Sequence, residues 1–157
     1  MIARQLLAAA WLVLFASPAA AVDMELPTVN GTAFFRLADA RPGPVVVNLW
    51  DTACPFCMRE MPLLYQSAKA HTDTLFLGIA MGSAGEALDY LESHPSPYPH
   101  LLGPRNPGSL LRRLRDPSGA LPHTVVLGPD HSICTVRTGG VDSAWLDAAI
   151  RKCSASH

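Results

Sequence analysis

The run Val45 to Trp50 (VVVNLW) constrains the fold more than any other stretch, because a continuous apolar segment of strand length has to be covered on both faces. Four residues later Cys54-Pro55-Phe56-Cys57 opens a second pattern, Pro55 to Ala70, which is amphipathic at helical spacing. Met58, Met61, Leu63, Leu64 and Ala68 supply its core face, and Pro62 should kink the helix or bend its exit. The segment therefore reads as a buried strand running into a helix that carries two thiols at its mouth. Two cysteines at this spacing can open and close a disulfide; taken alone they fit a redox dithiol, a metal site or a structural bridge. The strand-to-helix setting favours the redox dithiol over a metal knuckle.

The rest of the chain alternates strands and helices. Thr32 to Leu37 and Thr74 to Ala80 read as strands, and Ala84 to Ser93 as a helix with Leu88 and Leu91 inward. His100 to Leu102 can pair briefly before a short helix from Ser109 to Leu114. His123 to Leu127 and Ser132 to Arg137 form a hairpin around Gly128-Pro129-Asp130-His131, and Asp142 caps a last helix that ends near Lys152. This order predicts an α/β protein with a central sheet flanked by helices. The proline cluster from His94 to Pro107 contains Tyr98 and Leu101-Leu102, which suit a short strand framed by turns better than a linker. Residues 22–157 are therefore expected to form a single domain.

Residues 1–21 read differently. A short positive start through Arg4, an apolar stretch from Gln5 to Ala16 and the small residues Ser17-Pro18-Ala19-Ala20-Ala21 resemble a secretory signal peptide cleaved near Ala21. The apolar run is shorter than the roughly 20 residues of a membrane-spanning helix. Cleavage removes Arg4 and leaves 11 basic against 13 acidic side chains, a balance that argues against nucleic acid or anionic lipid as a main partner. A periplasmic location is the expectation.

The run VVVNLWDTACPFCMREMP resembles the active-site segment of the extracytoplasmic thioredoxin-like family that includes TlpA, ResA and CcmG, with its pattern V-N-F-W-A-x-W-C-x-x-C-R-x-E-x-P. Far downstream, Gly119-Ala120-Leu121-Pro122-His123-Thr124 resembles the family's G-x-P-x-T segment, with one extra residue before the proline. The resemblance implies a thioredoxin-like fold with a central mixed β-sheet, and thiol:disulfide oxidoreductase activity on protein thiols or disulfides. It also implies a cis peptide bond before Pro122, which would lie against the dithiol, bar metal from it and leave the Leu121 backbone free to pair with substrate.

Roles follow for the remaining site residues. Cys54 precedes the helix, where unpaired N–H groups and the helix dipole favour a thiolate, so it is the attacking sulfur; Cys57, one turn in, resolves. Glu60 falls where the family carries an acid suited to proton exchange with Cys57, or it merely complements the helix dipole. Asn48 matches an Asn common in the family, or is a strand residue with a satisfied amide. Trp50 is expected to pack beneath the site, and His123 to be a surface residue, with tuning of a nearby thiolate as the alternative. Ala53 replaces the family's usual Trp, which removes an aromatic rim and leaves partner choice open.

Cys134, early in the last strand, and Cys153, at the end of the last helix, are expected to meet as a structural disulfide, with two separate thiols as the alternative. The resemblance implies a reductase, possible substrates being apocytochrome c in cytochrome c maturation or another exported protein. Its electrons would come from a DsbD/CcdA-type membrane donor. The alternative is a disulfide-forming oxidase, since Pro55-Phe56 does not fix direction. A copper chaperone fits less well, because those relatives use C-x-x-x-C, and so does a peroxidase, whose Thr is replaced by Asp51. A monomer with no cofactor and no metal is expected.

Overall fold

A computed structural model describes residues 20–155, so nearly all of the expected signal segment lies outside the described residues. Five strands form the main sheet: β3 (Val45–Trp50), β4 (Leu75–Ala80), β5 (His100–Leu102), β6 (His123–Leu127) and β7 (Ile133–Thr138), in the order β5-β4-β3-β6-β7. The pairs β3–β4 and β4–β5 are parallel and β3–β6 and β6–β7 antiparallel, which makes the sheet mixed. Helices α1 (Pro55–Ala70) and α2 (Ala84–Ser93) cross between the parallel strands. Helix α3 (Gly108–Arg113) precedes β6, and α4 (Ser143–Ser154) follows β7. This is the thioredoxin-like fold.

Every residue of β3 is buried, as its apolar run requires, and alternation divides its side chains between two cores. Val46 and Trp50 join Cys57, Met61 and Leu64 of α1 and Leu146, Ala149 and Ile150 of α4. Val45, Val47 and Leu49 face Leu110 of α3, Leu114 and the N-terminal residues Val22, Met24 and Leu26. Leu63, expected in the core face of α1, belongs to neither core; Cys57, Glu60 and Ser67 are buried on that helix instead. Helix α1 is assigned without a break across Pro62.

The amino end departs most from expectation. Strand β1 (Glu25–Pro27) is not visible in the sequence pattern, and the anticipated Thr32–Leu37 strand shrinks to β2 (Phe34–Arg36), followed by a 3-10 turn at Leu37–Asp39. The two pair as a separate antiparallel ribbon. Val29 N–H donates to the His100 carbonyl at 3.0 Å, and Thr28 bridges Leu101, so the segment after β1 covers the open edge of β5. Asp142 caps α4 as the sequence suggests, accepting the Trp145 N–H at 2.8 Å.

Cys134 of β7 and Cys153 of α4 are joined by a disulfide with a sequence separation of 19. Opening a loop of this length is worth about 3 kcal/mol. The C134A/C153A double variant is expected to lose about that much stability in urea unfolding, while its Cys54–Cys57 pair still cycles with dithiothreitol.

His100 is buried beside Trp50 and stacked on Tyr98, with ring centroids 5.3 and 4.8 Å away. Its Nε2 meets Ser96 Oγ at 2.9 Å, while Nδ1 has no hydrogen-bond partner among the described residues and lies over Gly78, where a side chain would collide with the ring. Loss of solvation lowers its pKa to about 4, so the folded protein holds it neutral while the unfolded chain takes up a proton near pH 6.5. Stability contributed this way is complete above the unfolded value and is lost as pH falls from 6.5 through 4. Between pH 7 and 4.5, wild type should lose on the order of 2 kcal/mol more than His100→Phe in parallel urea titrations.

Candidate active site

The turn after β3 sets Cys54 at the head of α1. Asp51 Oδ1 accepts the Ala53 N–H at 2.9 Å, and the Asp51 carbonyl accepts the Cys54 N–H at 3.1 Å. Cys54 is then the N-cap, with extended backbone, and its Sγ accepts the Cys57 N–H at 3.1 Å. Pro55 takes the first helical position, where its missing N–H costs nothing. Cys54 and Cys57 are joined by a disulfide, with Cα atoms 5.3 Å apart. Cys57 is fully buried and Cys54 only partly, so the outer sulfur is the one a partner can reach. Between them Phe56 is 61% exposed, with the Arg59 guanidinium 4.2 Å from its ring centroid.

Glu60 is buried one turn beyond Cys57. Its Oε1 accepts from Asn48 Nδ2 at 2.9 Å, and its Oε2 accepts from the Val141 N–H at 3.0 Å. Asn48 also donates to Thr124 Oγ1 at 3.1 Å. One carboxyl thus ties α1 to β3 and to the loop before α4, and Asn48 is both a satisfied strand amide and a direct partner of the acid. Burial raises the Glu60 pKa above the ordinary glutamate value, against the opposing pull of the Val141 and Asn48 hydrogen bonds and the Arg137 charge.

Leu121–Pro122 is a cis peptide. His123, the next residue, pairs with Leu49, so Pro122 falls opposite Trp50 at the end of β3, where the chain turns toward Cys54. The Pro122 carbonyl accepts the Gly139 N–H at 2.8 Å, and among the described residues the Leu121 backbone has no hydrogen-bond partner. Cys134 and Cys153 lie apart from this group. Ile133 is opposite Leu127, and Leu127 opposite Val45, which places their bridge at the far end of the sheet.

His123 is not a surface residue: it is fully buried, with Nδ1 2.9 Å from Thr138 Oγ1 and Nε2 3.0 Å from the Leu114 carbonyl. Its strand has neighbours on both sides, and its side chain shares a face with Val125 and Leu127, a parity readable once β6 is known to be internal. The Val141 contact to Glu60 has no sequence signal, because it is made by a backbone group 81 residues away. Asn48 could have been found, as a lone amide in an otherwise apolar strand needs a buried partner.

The fold and the dithiol define the class: a thioredoxin-like thiol:disulfide oxidoreductase. The AhpC/TSA family model matches residues 10–136, and the chain belongs to that family. No match was found among curated proteins. Among solved structures, a thioredoxin-family thiol:disulfide interchange protein from Chlorobium tepidum TLS superposes with TM-score 0.75 at 23% identity, covering 88% of this chain and 97% of that one. A secreted Mycobacterium tuberculosis disulfide oxidoreductase homologous to Escherichia coli DsbE is 25% identical, with TM-score 0.67 and coverage of 82% and 94%. The exposed lipoprotein thioredoxin of Streptococcus pneumoniae strain TIGR4 gives TM-score 0.71 at 19% identity, covering 83% and 99%.

The Asn48 hydrogen bond lowers the Glu60 pKa, so removing it should raise that value further. Carboxyl carbon NMR of Asn48→Ala is expected to show Glu60 titrating at higher pH than in wild type. An unchanged midpoint would mean that the amide does not act on the acid.

Proposed function

We propose that this chain is an exported member of the TlpA/ResA/CcmG-like group that reduces disulfides in protein substrates through Cys54 and Cys57. The observation that carries the reading is the placement of Cys54: partly exposed at the N-cap of α1, with its sulfur accepting the Cys57 N–H. The helix N-terminus favours the thiolate there. Export is supported by the signal-like residues 1–21 and by the secreted Mycobacterium relative. A periplasmic site of action follows in this reading.

In the reduced protein the Cys54 thiolate attacks one sulfur of a substrate disulfide, forming a mixed disulfide and releasing the other sulfur as a thiolate that is protonated from solvent. Cys57 gives its proton to the Glu60 carboxylate, whose raised pKa suits the exchange, and the resulting thiolate attacks Cys54. The second substrate sulfur leaves and takes up a proton. Two electrons have moved, the substrate is a dithiol, and the Cys54–Cys57 disulfide awaits a dithiol donor of the DsbD/CcdA type. An extended substrate segment pairs with the unpartnered backbone of Leu121, beside cis Pro122. Apocytochrome c is a candidate substrate within this reading, since cytochrome c maturation needs reduced cysteine pairs.

Two measurements test it. Cys57→Ala should accumulate a mixed disulfide on Cys54 that Cys54→Ser never forms, and the trapped partner can be identified by mass spectrometry. Equilibration against dithiothreitol and glutathione should give a potential nearer about −270 mV, that of thioredoxin, than about −120 mV, that of a strong oxidant; the second outcome would reverse the direction.

A further inference from the structure

The loop that presents Leu121 and Pro122 is closed at its base by one side chain. A carbonyl only accepts, so His123 Nε2 carries the proton that reaches the Leu114 carbonyl at 3.0 Å, just past the end of α3. The other ring nitrogen meets the Thr138 hydroxyl of β7 at 2.9 Å. The ring is fully buried and spans the sheet face between the helix that starts the loop and the strand beside its end.

Inside the loop, Asp116 Oδ1 accepts from Ser118 Oγ at 3.0 Å and from the Ala120 N–H at 3.3 Å, while the Asp116 N–H donates to Leu111 O at 2.8 Å. Beyond it, the Pro122 carbonyl is held by Gly139. The backbone is fastened on both sides of Leu121 and left unpartnered at Leu121 itself. That is the arrangement a strand-pairing edge requires. Without the His123 contacts, the Leu114 carbonyl and the Thr138 hydroxyl lose their buried partner, and the closure of segment 115–122 rests on the Asp116 turn and the Gly139–Pro122 hydrogen bond.

We propose that His123 is a positioning residue for substrate: it holds the 115–122 loop so that the Leu121 backbone stays set to pair with an extended segment of the disulfide-bearing protein. This rests on the thiol–disulfide reading above. His123 acts through the loop and takes no part in sulfur chemistry, so its loss should weaken capture of a protein substrate while leaving reaction with a small thiol intact.

The test compares wild type with His123→Leu, His123→Gln and Thr138→Val, using insulin as the protein disulfide and dithiothreitol as the small dithiol. For His123→Leu, the half-saturating insulin concentration should rise roughly tenfold, the scale of one or two lost hydrogen bonds. Its limiting rate and its rate with dithiothreitol should stay within about twofold of wild type on this account. The Gln variant, whose amide can donate to the Leu114 carbonyl, should recover most of the affinity, and Thr138→Val should fall between. Wild-type half-saturation in His123→Leu, an equal loss with dithiothreitol, or a Gln variant no better than Leu would overturn the proposal. If the Leu variant does not fold, Thr138→Val decides it by hydrogen exchange, with His123→Gln as the near-wild-type control: faster exchange at the Ala120 amide with weaker insulin capture supports the role, and unchanged insulin capture refutes it. Failure of the wild-type protein to turn over insulin, with a normal dithiothreitol reaction, would sink the substrate reading and this role with it. Normal wild-type turnover with an unaltered His123→Leu sinks this role alone.

Discussion

Because both faces of β3 are covered, the amide of Asn48 can be solvated only by groups that other elements supply. Asn48 is the polar residue it holds, and its amide reaches Glu60 of α1 and Thr124 of β6. Glu60 in turn accepts the Val141 amide. A single buried network thus joins the central strand, the dithiol helix and the approach to α4. The burial that forces these hydrogen bonds also raises the Glu60 pKa, so the feature that orders the site also tunes its acid.

What was legible in the sequence follows from how local the signals are. The β3–α1 junction, the β6–β7 turn and the Asp142 cap depend on residues a few positions apart, and each formed within a residue or two of expectation. The β1–β2 ribbon is three residues per strand, too short for alternation to register, and it is fixed by contacts with β5 far along the chain. His123 falls in an expected strand, yet nothing near it in sequence shows that this strand end is covered; its burial comes from lying in a strand paired on both sides. Leu63 shows the opposite failure: an apolar residue at a plausible spacing is only half-buried, because Cys57, Glu60, Met61, Leu64 and Ser67 form the inner face of the helix.

The two disulfides share chemistry and differ in setting. Cys153 is fully buried against α1 and β3, and its bridge to Cys134 closes the end of the sheet remote from the turn after β3. A thiolate approaching Cys153 would have to displace packed core. Cys54, by contrast, caps a helix at the surface, beside an exposed Phe56. Each bridge joins a buried sulfur to a partly exposed one, so what separates the exchanging pair is the helix N-terminus that Cys54 caps.

The sense of electron flow depends on how strongly the fold favours the reduced pair over the disulfide. A deeply stabilised thiolate makes a strong oxidant, since it favours the reduced form. Among the described residues the polar contact to Cys54 Sγ is the Cys57 N–H, the helix-end donor that any N-cap sulfur would receive. The nearby guanidinium of Arg59 is directed over the Phe56 ring. On the other sulfur, an ionised Glu60 one turn from Cys57 opposes a second negative charge, which disfavours the doubly reduced, doubly ionised state. The sense of electron flow thus turns on the balance between the helix terminus, which favours a thiolate at Cys54, and the Glu60 carboxylate, which opposes one at Cys57.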